Sequence, residues 1–129
     1  MNRAAFGKIC LSLPRATSDF PFDEETEVFR LGGKMFALCA RSQTNPVTAN
    51  LKCDPDLASD LRAAWPGEVL PGWHQNHRHW NTVRLDGSLP DAKLEWMIRH
   101  SWELVRDGLP RALREELGLP RGRSPVPRQ

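Results

Sequence analysis

The sequence contains no long apolar run, and this absence argues against a protein with a membrane-spanning helix. A helix that crosses a bilayer needs about 20 consecutive apolar residues, and no such run occurs in the 129 residues of the chain. The first apolar stretch is broken by Gly7 and Lys8, and no small-residue cleavage pattern follows it. We therefore expect neither a secretory signal nor a membrane partner.

Cysteine is scarce, and its spacing is not that of a disulfide or zinc framework. Cys10, Cys39 and Cys53 lie far apart and form no C-x-x-C pair. An odd and sparse set of this kind is typical of buried free thiols in a reducing compartment. We expect a cytoplasmic protein without a cofactor.

Net charge is also low, at +2, and it is unevenly distributed. Residues 1–110 hold 13 Lys and Arg against 14 Asp and Glu, whereas residues 111–129 hold five arginines against two glutamates. A protein that relies on phosphate contacts usually has a basic folded surface. Arginine outnumbers lysine 14 to 4 over the whole chain, so the arginines near the C-terminus reflect overall composition and support a function only weakly.

Four segments have the periodicity or the end signals of helices. They are residues 2–13, a helix that begins at Asp54-Pro55 and ends before Pro66, residues 90–107 and residues 111–117. Asp54 and Pro55 suit the N-cap and the first helical position. By its length the chain is one domain, assigned to residues 1–117. The Arg- and Pro-rich segment 118–129 is predicted to be a disordered tail.

Alternating apolar residues predict the strands. Gly32-Gly33 separates two such runs, 27–31 and 34–41, as in a tight hairpin. In the second run Phe36, Leu38 and Ala40 are predicted to share a face. A third strand covers residues 47–53. A second hairpin is expected over residues 71–86, with one arm around Trp73 and the other from His79 to Leu85.

The resulting element order is α-βββ-α-ββ-α-α. It predicts an α+β domain with an antiparallel sheet of about five strands, built from two hairpin or meander units. The helices are expected to pack mainly on one face of the sheet. The acidic segment 19–27 is expected to be a loop, and its residues Phe20 and Phe22 are expected to attach it to the core.

Six short motifs occur in order over residues 13–105, and their combination resembles that of a known protein family. They are Leu13-Pro14 leading into Asp19-Phe20-Pro21-Phe22, Gly32-Gly33-Lys34-Met35-Phe36-Ala37, Leu51-Lys52-Cys53-Asp54-Pro55, Pro71-Gly72-Trp73-His74, His79-Trp80-Asn81-Thr82-Val83 and Ser101-Trp102-Glu103-Leu104-Val105. Together they resemble the bacterial MmcQ/YjbR family. The chain departs from the family pattern at Arg15, His77 and Trp102, which stand where glycine, lysine and tyrosine are usual.

The resemblance implies a compact α+β fold similar to a "double wing" arrangement. The family is commonly labelled DNA-binding because of that fold, although a fold does not determine a function. The resemblance supplies no catalytic residue.

The second predicted hairpin carries residue types that contact nucleic acid, namely cations for phosphates and an aromatic ring for a base. Trp80, Thr82 and Arg84 are predicted to share one face of the strand, opposite Asn81 and Val83. The candidate nucleic-acid-binding residues are Lys34, Lys52, His77, Arg78, His79, Trp80 and Arg84. In the alternative interpretation Trp80 packs against another element, because large aromatic side chains are usually buried.

Other chemistry has less support in the sequence. His74, His77 and His79 have the spacing H-x-x-H-x-H, but no further ligand is positioned to complete a zinc site. Cys39 and Cys53 lie in predicted strands and point inward, where a thiol behaves as a small apolar group. Gly32-Gly33-Lys34 is a hairpin turn rather than a phosphate loop. We expect no metal site and no enzyme.

Three functions remain as hypotheses, all of them non-enzymatic. The first is binding of DNA or RNA by the hairpin around Arg78 to Arg84. The second is a protein- or peptide-binding adaptor, suggested by the near-neutral body of the chain and its five tryptophans. The third is binding of a small ligand near Trp73 and Trp80. We expect a monomer.

Overall fold

The structure is a computed structural model that describes residues 1–42 and 45–122. Its elements are α1 (Arg3–Ser12), β1 (Thr17–Asp19), β2 (Thr26–Leu31), β3 (Lys34–Ala40), β4 (Thr48–Lys52), α2 (Pro55–Ala64), β5 (Val69–Pro71), β6 (Trp80–Arg84), α3 (Asp91–Gly108) and α4 (Arg111–Glu116). Asp54 caps α2 as predicted, since its side chain accepts a hydrogen bond from the backbone N–H of Leu57. Among the described residues, no helix is both long enough and apolar enough to span a bilayer.

The six strands form one sheet in the order β1-β2-β3-β4-β6-β5, and each neighbouring pair is antiparallel. The predicted α+β class is confirmed, with one strand more than expected. The turn between β2 and β3 is the predicted glycine pair, with φ of +58° at Gly32 and +83° at Gly33. The additional strand, β1, has only three residues, all exposed, and therefore shows no apolar alternation.

The main core lies between the sheet and the helices. Phe6 of α1 and Phe29 of β2 meet edge to face with their ring centroids 5.9 Å apart. Ile98 and Trp102 of α3 are buried in the same core. The buried apolar side chains of the described helices lie in this core, whereas the cluster on the other face of the sheet consists of strand residues. We call that second surface the open face.

A β-bulge at Phe36 changes which side chains lie on each face of β3. The pairing with β2 passes from Phe29↔Ala37 to Arg30↔Met35, so Phe36 is the extra residue. As a result Phe36 and Ala37 both lie in the main core, whereas Leu38 belongs to a cluster on the open face. The prediction that Phe36 and Leu38 share a face is wrong, because it assumed uninterrupted alternation.

Ser101 of α3 satisfies the backbone groups that the bulge leaves unpaired. The pairing of β3 with β4 covers only Ala37↔Leu51 and Leu38↔Asn50. Beyond it, the Ser101 hydroxyl donates to the carbonyl oxygen of Phe36 at 2.5 Å and accepts from the backbone N–H of Lys52 at 2.8 Å. The structure shows a polar bridge between the helix and two strands.

Three other predictions need correction. The first arm of the second hairpin is Val69–Pro71, and Trp73 lies in the loop that follows it. Phe22 is 62% exposed and does not attach its loop to the core; Phe20 lies under the guanidinium of Arg41. The predicted tail begins too early, because Leu119 is buried in the main core. Residues 123–129 of that tail lie outside the described residues.

Candidate functional site

The open face has a small apolar cluster of its own, which surrounds Trp80. The indole of Trp80 packs with Val28 and Leu38, and Met35 lies against them. Trp80 is only 8% exposed, as the alternative interpretation of the sequence predicted. Its ring is therefore part of the fold, and it does not offer an open surface for a base.

A cleft of about 650 Å³ lies beside this cluster on the open face. Its floor is formed by the sheet, and its sides by the loop that contains Phe22 and Asp23 and by the loop 73–75. The floor residues on the open face are Leu38, Thr48, Asn50 and Thr82. The cleft is thus walled by aromatic rings and floored mainly by hydroxyl and amide groups.

The loop that carries Trp73 is fixed to the floor of the cleft by hydrogen bonds. The backbone N–H of Trp73 donates to the Thr82 hydroxyl at 2.8 Å, and that hydroxyl donates to Asn50 Oδ1 at 2.7 Å. The amide nitrogen of Asn50 in turn donates to the backbone carbonyl of Trp73 at 2.8 Å. The backbone of Trp73 is held on both sides, while its side chain remains 70% exposed.

Gly72 allows this loop to approach the sheet closely. A Cβ atom at this position would lie 2.7 Å from Cβ of Trp80 and 2.9 Å from its carbonyl oxygen. The backbone N–H of Gly72 donates to that same carbonyl at 2.9 Å. Gly72 therefore has a steric role: a side chain there would push the Trp73 loop away from the cleft.

Asp23 gives the cleft its charge. Among the described residues that line the cleft it is the one carboxylate, and no Lys or Arg lines it. Asp23 Oδ1 accepts from the backbone N–H groups of Thr26 at 2.7 Å and Glu25 at 2.9 Å. The Thr26 bond first, and then the Glu25 bond, hold the pKa of Asp23 below its ordinary value. The carboxylate is therefore ionised at neutral pH.

The cations predicted to bind phosphate do not all meet on the open face. Lys52 does lie there, because it pairs with Trp80 in the sheet. Lys34 pairs with Leu31, which is buried in the main core, so strand register places Lys34 on the opposite side. Arg78 is exposed in the loop before β6. Within residues 1–42 and 45–122, Lys34, Lys52 and Arg78 make no salt bridge.

Arg84 lies on the open face, but its charge is already compensated. Its Nε donates to Asp86 Oδ1 at 3.0 Å. Glu68 is also close by: the Ser88 hydroxyl, and to a smaller degree the charge of Arg84, hold the pKa of Glu68 below its ordinary value. With two carboxylates around it, Arg84 is a weaker phosphate ligand than the sequence suggested.

The histidines lie in a loop that is held from α2. His77 and His79 are both exposed. Arg62 of α2 donates to the carbonyl oxygens of His77 and Trp80 and, at 2.7 Å, to Oδ1 of the buried Asn81. This anchor fixes the backbone of the loop and leaves the side chains of His77, Arg78 and His79 in solvent.

The cysteines and acids of the described part of the chain form no reactive or metal-binding cluster. Burial raises the pKa of the Cys39 thiol to about 11 and that of Cys53 to about 12, so both are protonated at neutral pH. Within residues 1–42 and 45–122, no group of three or more His, Cys, Asp or Glu residues is placed to hold a metal ion.

A family model named YjbR matches residues 11–104. The chain belongs to the YjbR family. The match covers every described residue that lines the cleft, which places the cleft within the YjbR domain. The family resemblance predicted from the sequence is therefore confirmed.

Relatives with known sequences and structures agree with this YjbR assignment. The chain is 36% identical to the uncharacterised protein YbdF of Escherichia coli O157:H7, over 79% of this chain and 82% of that one. It is 32% identical to the uncharacterised protein YjbR of Escherichia coli K12, over 84% and 90% of the two chains. The crystal structure of protein DR2400 from Deinococcus radiodurans superposes with a TM-score of 0.84 at 39% identity, over 95% and 91% of the two chains.

Of the two tryptophans near the cleft of this YjbR domain, the one that the sequence favoured, Trp80, is buried, and Trp73 is exposed. The alternation of β6 was predicted correctly, since Trp80 and Thr82 do lie on the face opposite Asn81 and Val83. What the alternation did not reveal is that the open face has its own apolar cluster, which covers Trp80. The signal for Trp73 was the preceding Gly72, which indicates a close backbone approach.

Proposed function

We propose that this protein acts by binding rather than by catalysis, and that its ligand is a single-stranded nucleic acid lying across the open face. In this arrangement an unpaired base stacks on Trp73 in the cleft. The phosphates on one side of that base lie toward Lys52 and Arg78. His77 and His79 border the same path.

The observation that carries this proposal is the exposure of the Trp73 ring on a fixed backbone. Trp73 is 70% exposed and lines the same cleft as Phe22, which is 62% exposed. A contiguous exposed apolar surface of this kind marks an interaction site, whereas a single exposed ring does not. The hydrogen bonds of Thr82 and Asn50 fix the backbone of Trp73 before any ligand arrives. Such preorganisation lowers the entropy lost on binding, and a ring of this kind is what single-strand-binding surfaces use to stack bases.

The shape of the site favours a single strand over a duplex. Trp73 borders a cleft whose floor is the sheet, so a base must leave its stack to reach the ring. A duplex would have to lose pairing and stacking energy first. Since no Lys or Arg among the described residues lines the cleft, few phosphate contacts are expected, and the affinity should be moderate with a shallow dependence on salt.

A second candidate function is binding of a peptide with a basic side chain. The observation that favours it is the lining of the cleft, where Asp23 is present and no Lys or Arg is found among the described residues. The exposed rings of Phe22 and Trp73 would attract a guanidinium or ammonium group as well as a base. The experiment below therefore includes a peptide.

The proposal is tested by fluorescence anisotropy with labelled single-stranded and duplex DNA over a series of salt concentrations. We expect the single strand to bind more tightly, and the double variant Lys52→Ala/Arg78→Ala to weaken binding. Each lost phosphate contact lowers the slope of log affinity against log salt by about 0.7, so the slope should fall by about 1.4. A version of the chain ending at Gly122 shows whether Arg123 and Arg128 contribute, and it keeps the buried Leu119.

The matched control is Lys8→Ala/Arg99→Ala, which removes the same charge from exposed positions on α1 and α3. It should leave the salt slope unchanged if binding is at the open face. Equal slopes for the two double variants would mean diffuse electrostatic attraction. Binding of an arginine-containing peptide, with no binding of either DNA at low salt, would favour the second candidate function instead.

A further inference from the structure

We propose that the cleft distinguishes among unpaired bases, and that it prefers one with an exocyclic amino group, which donates a hydrogen bond to Asp23. This selectivity rests on the proposed function, because it assigns the ligand of the same cleft more narrowly. The bases that carry such a group are cytosine, adenine and guanine, and the disfavoured ones are thymine and uracil.

The charge of the cleft is the first step toward this selectivity. Asp23 is the one carboxylate among the described lining residues, and the cations Lys52 and Arg78 are not part of that lining. A phosphate placed in the cleft would meet a negative charge and no positive one. The backbone of a bound strand must therefore lie outside, toward Lys52 and Arg78, and the group that enters must be neutral or a hydrogen-bond donor.

The shape of the cleft is the second step. Phe22 and Trp73 both line it and are mostly exposed. A flat ring that enters the cleft can therefore pack against the exposed apolar surface of these two side chains. Trp73 also meets the ring of His74 edge on, with the centroids 4.9 Å apart. These aromatic walls suit a planar heterocycle better than a flexible aliphatic chain.

The remaining acceptor capacity of Asp23 is the third step. Oδ1 is occupied by the two backbone N–H groups of Glu25 and Thr26. An ionised carboxylate has about four acceptor sites, which leaves room for one more donor. Cytosine N4 and adenine N6 are amino donors, whereas thymine presents the carbonyl oxygen O4 in the equivalent place. The one N–H donor on the pairing edge of thymine, N3–H, lies between two carbonyl oxygens that repel a carboxylate.

The test compares oligodeoxycytidine and oligothymidine of equal length by anisotropy at neutral pH and low salt. These two strands have the same backbone charge and pyrimidine rings of similar size, so their difference reports the contact to the exocyclic group. We expect oligodeoxycytidine to bind at least about fivefold more tightly. Oligodeoxyadenosine should also bind more tightly than oligothymidine, with stacking adding to the difference.

The decisive variant is Asp23→Asn. Its side-chain oxygen still accepts the backbone N–H groups of the turn, so the loop should keep its conformation, while its NH₂ group replaces the second oxygen by a donor. The preference for cytosine over thymine should vanish or reverse. Glu24→Gln is the matched control: it removes the same charge from the neighbouring exposed residue, which does not line the cleft, and it should keep the preference.

The possible outcomes distinguish the base selectivity of the cleft from single-strand binding itself. Equal binding of the two pyrimidine strands to the native protein would overturn the selectivity and leave single-strand binding in place. A preference that survives in Asp23→Asn would overturn the role of Asp23. If no strand binds at low salt, both the selectivity and the proposed function are wrong. If an arginine-containing peptide then binds and Asp23→Asn abolishes it, the occupant of the cleft is a basic side chain.

Discussion

Replacing Trp80 with alanine is expected to lower the free energy of unfolding by about 3–5 kcal/mol, as truncation of a large buried aromatic side chain generally does. Trp80 is 8% exposed and packs with Val28 and Leu38, so its loss would leave a cavity on the open face. Trp73→Ala, in contrast, should change stability by no more than about 0.5 kcal/mol. Urea unfolding followed by circular dichroism measures both changes.

Binding of single-stranded DNA, in contrast to stability, should be affected more by Trp73→Ala than by Trp80→Ala. Trp73→Ala should weaken single-strand binding by about five- to a hundredfold, since stacking of one base on an aromatic ring contributes about 1–3 kcal/mol. Trp73→Phe, which keeps a ring, should retain most of the affinity. If Trp73→Ala binds as tightly as the native protein, or if it unfolds, then Trp73 is not a preorganised contact for a base.

Ser101→Ala is expected to destabilise the protein by about 2–4 kcal/mol, which is a large effect for the loss of one oxygen atom. The hydroxyl is fully buried and bonds both the carbonyl oxygen of Phe36 and the N–H of Lys52. Each buried backbone group left without a partner costs about 1–3 kcal/mol. Thermal or urea unfolding at neutral pH measures the loss.

Ser59→Ala is the matched control for Ser101→Ala, because it makes the same change at an exposed position of α2. Alanine has the higher helix propensity, so this variant should be neutral or slightly stabilising. If Ser101→Ala is also neutral, then the backbone groups at the bulge find other partners. Ser101 would in that case contribute only its small size to the packing of α3 against the sheet.

The parts of the fold that the sequence predicted are those that depend on local chemistry. Gly32-Gly33 fixed the first hairpin because the turn needs positive φ, and Asp54-Pro55 fixed the start of α2 through capping. The bulge at Phe36 was not predictable in this way. Phe36 and Ala37 both face the main core because α3 and its residue Ser101 stabilise the bulge from outside the strand. The alternation of apolar residues within β3 does not indicate that contact.

The candidate site was predicted only in part for a similar reason. The sequence predicted the correct faces for the residues of β6. Whether each residue is free to contact a ligand, however, depends on its neighbours in space. Val28 and Leu38 cover Trp80, Asp86 compensates Arg84, and Thr82 with Asn50 positions Trp73. Asp86 lies just after Arg84 in the loop that follows β6, but the other neighbours come from four different strands, so no local pattern brings them together.

The central claim is that an unpaired base of a nucleic acid stacks on Trp73 in the open-face cleft. The most direct measurement is an NMR titration of the native protein with a single-stranded oligodeoxycytidine, following the indole N–H signals of the five tryptophans. The signal of Trp73 and the backbone amides of the neighbouring loop should shift. The signal of Trp102, whose indole N–H donates to the carbonyl oxygen of Pro14 on the helix side, should stay in place. Shifts confined to the helix side, or an unchanged Trp73 signal at a large excess of oligonucleotide, would contradict the claim.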